Sequence, residues 1–506
     1  MSLSLPLVFI ITALVLWGMK EVLGNSYALD QPGLRKLHSQ PIPQIGGLIF
    51  GSLFLFTAWW LGLAPLWYIL GGIISILLGT IDDKYTIPWQ IKFIIQLAIA
   101  IYISIQFWGW FNSVTFYNYS FNVSEMSLLL IFLFWFIGIY NAVNLIDGLD
   151  GLASGFMLIL CLGMGLFGSD TFATLNLILA TILLGFLVFN QRPAKIFMGD
   201  AGSLFLGFHT AVLPLLFIED TSNITSINMT PFVLLVFYLV ADTTRVLFTR
   251  LAAKKSPMTA DTIHFHHLIL QESGSYLSSI GVIFFATSIS VIGAVLSIYF
   301  ELSANAMLAH LALLLFFVLT PPVQSYVPLI SKVIGPFYNW QKHKQLKAPY
   351  LSRSIFMVAL LLGLILSLSF YGNLATLITW QNGLSVFLLF LFIIFIREHK
   401  MVKYVIQLSL ILVFSELYWG TELGIFSKLF TIFLLISYLV FTLEKRNGCN
   451  IIEFSTLDLL LILITFGGVT LALLGFPVSI WFFLTMFSLW FGISFLLLRT
   501  IYFTPH

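Results

Sequence analysis

Charge is scarce in this chain. Asp, Glu, Lys and Arg make up 9% of its 506 residues and 59% are hydrophobic, whereas a soluble domain is about 25% charged. That composition excludes a water-soluble globule. Cysteine is nearly absent as well: Cys161 and Cys449 lie far apart with no ligand-like spacing, which argues against a disulfide framework and against a thiolate zinc site. The net charge is only +2 and no basic tract occurs, so nucleic acid is not expected as a partner. The first positive charge, Lys20, follows the opening apolar run. A secretory signal peptide has the reverse order, so the N-terminus reads as a retained first span.

What the chain has in abundance is apolar length. A window of about 20 residues predicts helices near 3–23, 46–63, 66–81, 91–109, 127–145, 151–168, 172–190, 203–219, 231–250, 277–300 and 306–326. Six more are predicted near 354–372, 381–396, 403–418, 425–442, 456–475 and 479–498. The fold class is all-α, a polytopic helical membrane protein whose other partner is the lipid bilayer. Residues 327–353 are polar, basic and Pro-containing, in the manner of an interdomain linker. They divide a core at 1–326 from an extension at 354–506.

Lys and Arg gather in alternate loops, for example Lys84, Arg192, Lys195 and Lys254, while NSVTFYNYSFNVSE and EDTSNITSIN carry none. Positive loops prefer the cytoplasm, so the N-terminus is placed outside. This orientation brings every polar cluster of the first half onto one cytoplasmic face, as a single active site requires.

Four clusters carry the chemistry. Asp82 and Asp83 are adjacent carboxylates that repel unless a cation or shared proton relieves them. Oxygen donors without thiols favour magnesium or manganese, although Asp also occurs at solvated helix ends. In NAVNLIDGLDGLASG, Asn141, Asn144 and Asp147 fall three apart on one helical face at the membrane edge, followed by Asp150. Ionisable groups there are expensive and point to function, while the Asp-Gly pairs also suit a turn. In FMGDAGSLFLG, Asp200 precedes a helix expected to start just after Ser203, whose free amides would attract an anion, and Phe197 could stack on a base. Asp-x-x-Ser is equally an ordinary helix start. HFHHL places His264, His266 and His267 in a loop. No Cys accompanies them and the spacing is not H-E-x-x-H, so anion contact is favoured over zinc. Together the clusters indicate metal-assisted chemistry on a phosphate at a membrane surface.

In order and spacing the four motifs resemble those of the polyprenyl-phosphate N-acetylhexosamine-1-phosphate transferases, a glycosyltransferase family 4 group with phospho-N-acetylmuramoyl-pentapeptide transferase as a more distant relative. The likeness includes DQPGLRKLHSQPIPQIGG, with Asp30, Arg35, Lys36, His38, Gly46 and Gly47, and covers roughly residues 1–326. HFHH fits the hexosamine branch better than the muramoyl branch, whose three His are contiguous.

The resemblance implies transfer of a sugar 1-phosphate, GlcNAc-1-phosphate as the best choice, from a UDP-N-acetylhexosamine to undecaprenyl phosphate with release of UMP. It implies Mg²⁺, with Mn²⁺ as substitute, held by Asp200 with help from Asp83 and Asn144. Asp82, Asp83, Asp147, Asp150, His266 and His267 take catalytic roles in this reading. Lys36, His38, Asn141, Asn144, Phe197, Ser203 and His264 bind substrate. Asp82 would orient or deprotonate the acceptor phosphate, although attack without a base is also open, since a phosphate monoester is largely ionised near neutral pH. The expected location is the bacterial plasma membrane with a cytoplasmic site, at the first membrane step of a surface polysaccharide such as O-antigen. A homodimer or a downstream glycosyltransferase is the expected protein partner. The extension repeats none of the motifs and is read as a lipid-facing bundle or an interaction module. A secondary transporter and an inactive scaffold are the competing functions; acids at the bilayer midplane would favour transport, acids at its edge catalysis.

Overall fold

The computed structural model describes residues 4–24, 27–32, 39–117, 119–165, 170–219, 226–256, 263–273 and 276–299, together with Leu460. The chain divides into two units, residues 15–332 and residues 1–14 with 333–506; the contacts below lie within the first. The span expected at 306–326, the linker at 327–353 and the extension fall outside the described residues.

Helices dominate. In chain order they are α1 (Leu5–Leu23), α2 (Gly46–Trp60), α3 (Leu66–Tyr85), α4 (Trp89–Gln106), α5 (Glu125–Ile146), α6 (Leu152–Met164), α7 (Asp170–Asn190), α8 (Gly199–Glu219), α9 (Thr230–Leu235), α10 (Phe237–Ala252), α11 (Phe265–Ser273) and α12 (Tyr276–Tyr299). Among the described residues six of them, α1, α3, α4, α5, α7 and α8, are long and apolar enough to cross a bilayer, and the chain is a polytopic helical membrane protein. Local signals set the ends. Pro65 and Pro88 precede the first turns of α3 and α4, where a missing N–H costs nothing. Ser124 caps α5 by accepting the Ser127 amide at 3.2 Å.

Three expectations are corrected. The helix expected at 66–81 runs on to Tyr85, so Asp82 and Asp83 lie inside its last turn. The helix expected after Ser203 starts at Gly199 and takes in Asp200. The span expected at 231–250 is broken into α9 and α10 around Val236.

The core is built around α8, nearly all of which is buried against α3, α5 and α2. Buried polar groups are paired across this core. Tyr68 Oη lies 2.7 Å from His209 Nδ1, and His209 Nε2 lies 3.2 Å from Asn176 Oδ1. By contrast α4 and α5 show apolar side chains outward, including Ile94, Ile105, Leu130 and Phe134, as a lipid-facing surface should. Trp59, Trp60, Trp108 and Trp110 are exposed around the ends of α2 and α4, in keeping with an interfacial aromatic belt.

Five short strands complete the unit among the described residues. β1 (Leu29–Asp30) pairs antiparallel with β2 (Ile42–Pro43). β3 (Ser113–Phe116) pairs antiparallel with β4 (Tyr119–Asn122) and parallel with β5 (Ser226–Asn228). The second sheet joins the two loops that lack Lys and Arg.

Candidate active site

The end of α3 supplies two carboxylates that do different work. Asp82 is buried, accepts the Ile87 amide at 2.5 Å and is paired with the Lys92 ammonium. Lys92, one turn into α4, also reaches Asp200 Oδ2 at 3.4 Å, so one cation lies between acids from α3 and α8. The sequence reading missed Lys92. Its signal was present: a lysine in the first turn of an apolar helix, at the membrane edge where charge is costly.

Asp83 turns toward α8. Its Oδ1 accepts the Asp200 amide at 2.7 Å and its Oδ2 the Ala201 amide at 3.1 Å. The anion seated on this helix N-terminus is therefore the protein's own carboxylate, where a ligand had been expected. The contact explains Gly199, which has φ +65 and whose Cβ would meet Asp83 Oδ2 at 2.5 Å. Just before it, the Phe197 and Met198 carbonyls accept the Gly46 and Gly47 amides at 2.9 Å each, and the Phe197 amide donates to Pro43 at 2.9 Å. That backbone clasp fixes the loop while the Phe197 ring stays partly exposed.

The amides expected on one face of α5 separate. Asn141 exchanges hydrogen bonds with Gln96 of α4 at 2.8 and 3.2 Å. Asn144 turns to α8, where its Oδ1 accepts the Ser203 hydroxyl at 2.6 Å; Ser203 is buried. Both amides brace helices, and Asn144 lies next to the first turn of α8. Asp147 follows as the C-cap of α5. It keeps an exposed face within a crowd of protein atoms that, with Asp83, Asp150 and Asp30 nearby, pushes its carboxyl up to about 7. Asp150 ties loops together: its Oδ2 accepts the Ala194 amide at 3.1 Å, and its carbonyl accepts the Tyr276 hydroxyl.

Asn190, also missed, anchors the same region. Its Oδ1 accepts the Gly151 amide at 3.0 Å and the Ser154 hydroxyl at 2.8 Å, and its Nδ2 donates to Ile196 at 3.0 Å. A polar amide closing an apolar helix was the available clue.

The histidine motif starts a helix; the expected loop is only its entry. His266 is buried against the DGLD turn, where a Cβ on Gly148 would meet His266 Nε2 at 2.3 Å. Burial, then the neighbouring His267, pushes His266 down to about 3, so the ring is neutral at physiological pH. His267 lies 4.2 Å from it, centroid to centroid. His264 lies 2.9 Å from Asp242 of α10, which also accepts from Arg245 at 2.8 Å. Asp242 and Arg245 were missed, although charges within a predicted span are a strong signal. Lys36 and His38 lie outside the described residues.

One region thus gathers Asp82, Asp83 and Asp200 around Lys92, with Asp147 close enough to feel Asp83. Its donors are all oxygen, and the carboxylates of Asp82 and Asp200 share one ammonium, while Asp83 sits on the α8 amides. Among the described residues no three His, Cys, Asp or Glu side chains form a ready metal cage. Magnesium does not need one, since it is commonly held by one or two carboxylates plus substrate phosphates. The charge deficit and donor chemistry fit such an ion.

Residues 66–218 match the model of glycosyl transferase family 4. A probable undecaprenyl-phosphate N-acetylglucosaminyl 1-phosphate transferase of Bacillus subtilis is 34% identical over 348 residues, covering 67% of this chain and 94% of that protein. The chain belongs to this family. An undecaprenyl-phosphate alpha-N-acetylglucosaminyl 1-phosphate transferase of Thermotoga maritima is 30% identical, with 54% of this chain and 83% of that protein covered. The Escherichia coli protein of the same name is 29% identical, with 62% and 89% covered. The family match takes in the acid cluster with Lys92 and stops before Asp242 and the histidines.

Proposed function

We propose that this chain transfers N-acetylhexosamine 1-phosphate, with GlcNAc-1-phosphate as first choice, from a UDP-sugar to undecaprenyl phosphate and releases UMP. The observation that carries the reading is the Lys92 ammonium held between Asp82 and Asp200, in a chain whose relatives bear the names given above. In the reaction an oxygen of the lipid phosphate bonds to the β-phosphorus, and the bond from that phosphorus to the α–β bridging oxygen breaks, leaving UMP. Such transfers depend mainly on positioning and charge neutralisation.

Lys92 neutralises charge on the diphosphate and holds the Asp82 side chain at the acceptor. Asp83 and Asn144 hold the first turn of α8 in place, so Asp200 and the Phe197 ring present toward the donor. Asp200, with Asp82 beside it across Lys92, would hold Mg²⁺ or Mn²⁺, which when bound supplies further neutralisation of the diphosphate. Asp150 keeps the DGLD turn closed, and the neutral His266 covers it. His264 and His267 contact the donor sugar or diphosphate, as would Lys36 and His38.

The acids stand at helix ends, with Asp82 and Asp83 in the last turn of α3, Asp200 in the first turn of α8 and Asp147 just after α5. This placement supports catalysis at one face over midplane transport. The face is the cytoplasmic side of a bacterial plasma membrane by the loop-charge argument. The test is to incubate purified protein with undecaprenyl phosphate, Mg²⁺ and a panel of UDP-sugars, following UMP.

A further inference from the structure

His264 has one ring nitrogen engaged and one bare. The residue is buried, its Nδ1 lies 2.9 Å from Asp242 Oδ2, and its Nε2 has no hydrogen-bond partner among the described residues. Asp242 is itself anchored. Its Oδ1 accepts the Phe265 amide at 3.1 Å and the Arg245 guanidinium at 2.8 Å, and Arg245 donates again to the Ile263 carbonyl at 2.5 Å. These contacts bind α10 to the first turn of α11 and leave Oδ2 for the imidazole.

An ionised carboxylate only accepts, so Nδ1 carries the proton that faces Asp242, and in the tautomer this selects Nε2 is an acceptor. A buried acceptor without a donor is costly to keep. The ring belongs to the site region: it lies nearly parallel to His266, 5.9 Å away at 15°, and His266 covers Gly148 between Asp147 and Asp150.

We propose that Asp242 is a positioning residue, which fixes the His264 tautomer so that Nε2 accepts a hydrogen bond from a hydroxyl or amide N–H of the bound UDP-sugar. The identity of the ligand rests on the function proposed above; the role of Asp242 rests on geometry alone. Asp242→Asn is a clean inversion. Two donors already claim Oδ1, so the oxygen of the introduced amide must stay there and its N–H₂ must face Nδ1. His264 is then forced to carry its proton on Nε2, while the Phe265 and Arg245 contacts survive.

The experiment combines ¹⁵N-histidine NMR of the full chain in detergent at neutral pH, assigned with His264→Gln, and steady-state kinetics with UDP-GlcNAc and undecaprenyl phosphate. The wild type should show a protonated Nδ1 and a bare Nε2, and the Nε2 resonance should move when UDP-GlcNAc is added. Asp242→Asn should reverse the tautomer and raise KM for UDP-GlcNAc about tenfold, the scale of one lost buried hydrogen bond, with KM for the lipid unchanged. A wild-type ring protonated on Nε2 would overturn the proposal. So would an inverted variant that keeps the wild-type donor KM. If Asp242→Asn does not fold, the wild-type spectra decide, and an Nε2 resonance indifferent to UDP-GlcNAc counts against it. A protein with the expected tautomer that releases UMP from no UDP-sugar would defeat the ligand assignment and leave the tautomer control by Asp242 standing.

Discussion

Asp83 and Asp200, 117 residues apart in sequence, are joined through the Asp200 amide, which donates to the Asp83 carboxylate at 2.7 Å. Two acidic motifs that look independent in the sequence are one structural device, in which the end of α3 caps the start of α8. The acid that completes the cap is distinct from the acids left to face Lys92.

Asp83→Ala should therefore destabilise the protein as well as impair it. Two amides at the start of α8 lose their acceptor, at a cost of about 1–3 kcal/mol. Thermal unfolding in detergent should show a clearly lower midpoint than the wild type, with Asp83→Asn intermediate because one oxygen remains. An unchanged midpoint for Asp83→Ala would remove the capping role.

Lys92→Met should lower kcat/KM by about a hundredfold or more, the scale reported for loss of a main electrostatic stabiliser, and Lys92→Arg should recover part of it. The substitution also leaves Asp82 buried without its cation, so a companion stability measurement separates the two effects. Near-normal turnover by Lys92→Met would show that the cation is only structural.

Turnover should require Mg²⁺ or Mn²⁺. Excess chelator should abolish UMP release and either ion should restore it, while Asp200→Asn should lose about a hundredfold. Full activity in chelator would contradict the metal assignment.

The Asp147 carboxyl, raised from 3.8 to about 7, gives a pH signature. Below about 7 it is neutral, above it anionic, so activity that needs the anion rises with pH through about 7. Asp147→Asn should abolish that limb of the profile along with most of the rate. The folded state holds its proton more tightly than the unfolded chain, so this group's contribution to stability is greatest below about 4 and is lost as pH rises from about 4 to about 7. A rate limb unmoved in Asp147→Asn would assign it elsewhere.

Topology is open to direct labelling. Cysteines placed at the exposed Lys84 and Lys254 should react from the cytoplasmic side, and one at the exposed Tyr119 from the outside. Ser154 is unsuitable because it is buried on Asn190. Either lysine position labelling from outside would break the single-face arrangement.

Much of this was legible in the sequence, for physical reasons. Apolar runs the length of a bilayer announce helices, and carboxylates at their edges are too costly to be incidental, so α3, α5, α7 and α8 were legible, together with Asp82, Asp83, Asp147 and Asp200 at their ends. What the sequence hid was partnership. Nothing local says that Asn141 pairs with Gln96 while Asn144, three residues on, pairs with Ser203; helix packing decides it. The start of α8 was placed four residues late because the amides of Asp200 and Ala201 are satisfied by a remote carboxylate, which no nearby capping residue reveals. The strand pairing of β3 with β5 joins loops more than a hundred residues apart. Lys92, Asn190, Asp242 and Arg245 were overlooked for a different reason: none belongs to a recognisable motif, and only the cost of placing a polar group in or beside a span marks them.

The central claim is tested most directly by supplying the purified protein with UDP-GlcNAc, undecaprenyl phosphate and Mg²⁺ and measuring UMP and lipid product together. The account predicts UMP and a GlcNAc-diphosphate lipid in equal amounts, with both lost in Lys92→Met and Asp200→Asn. Absence of UMP from every UDP-N-acetylhexosamine, or UMP formed without a lipid-linked sugar, would contradict it.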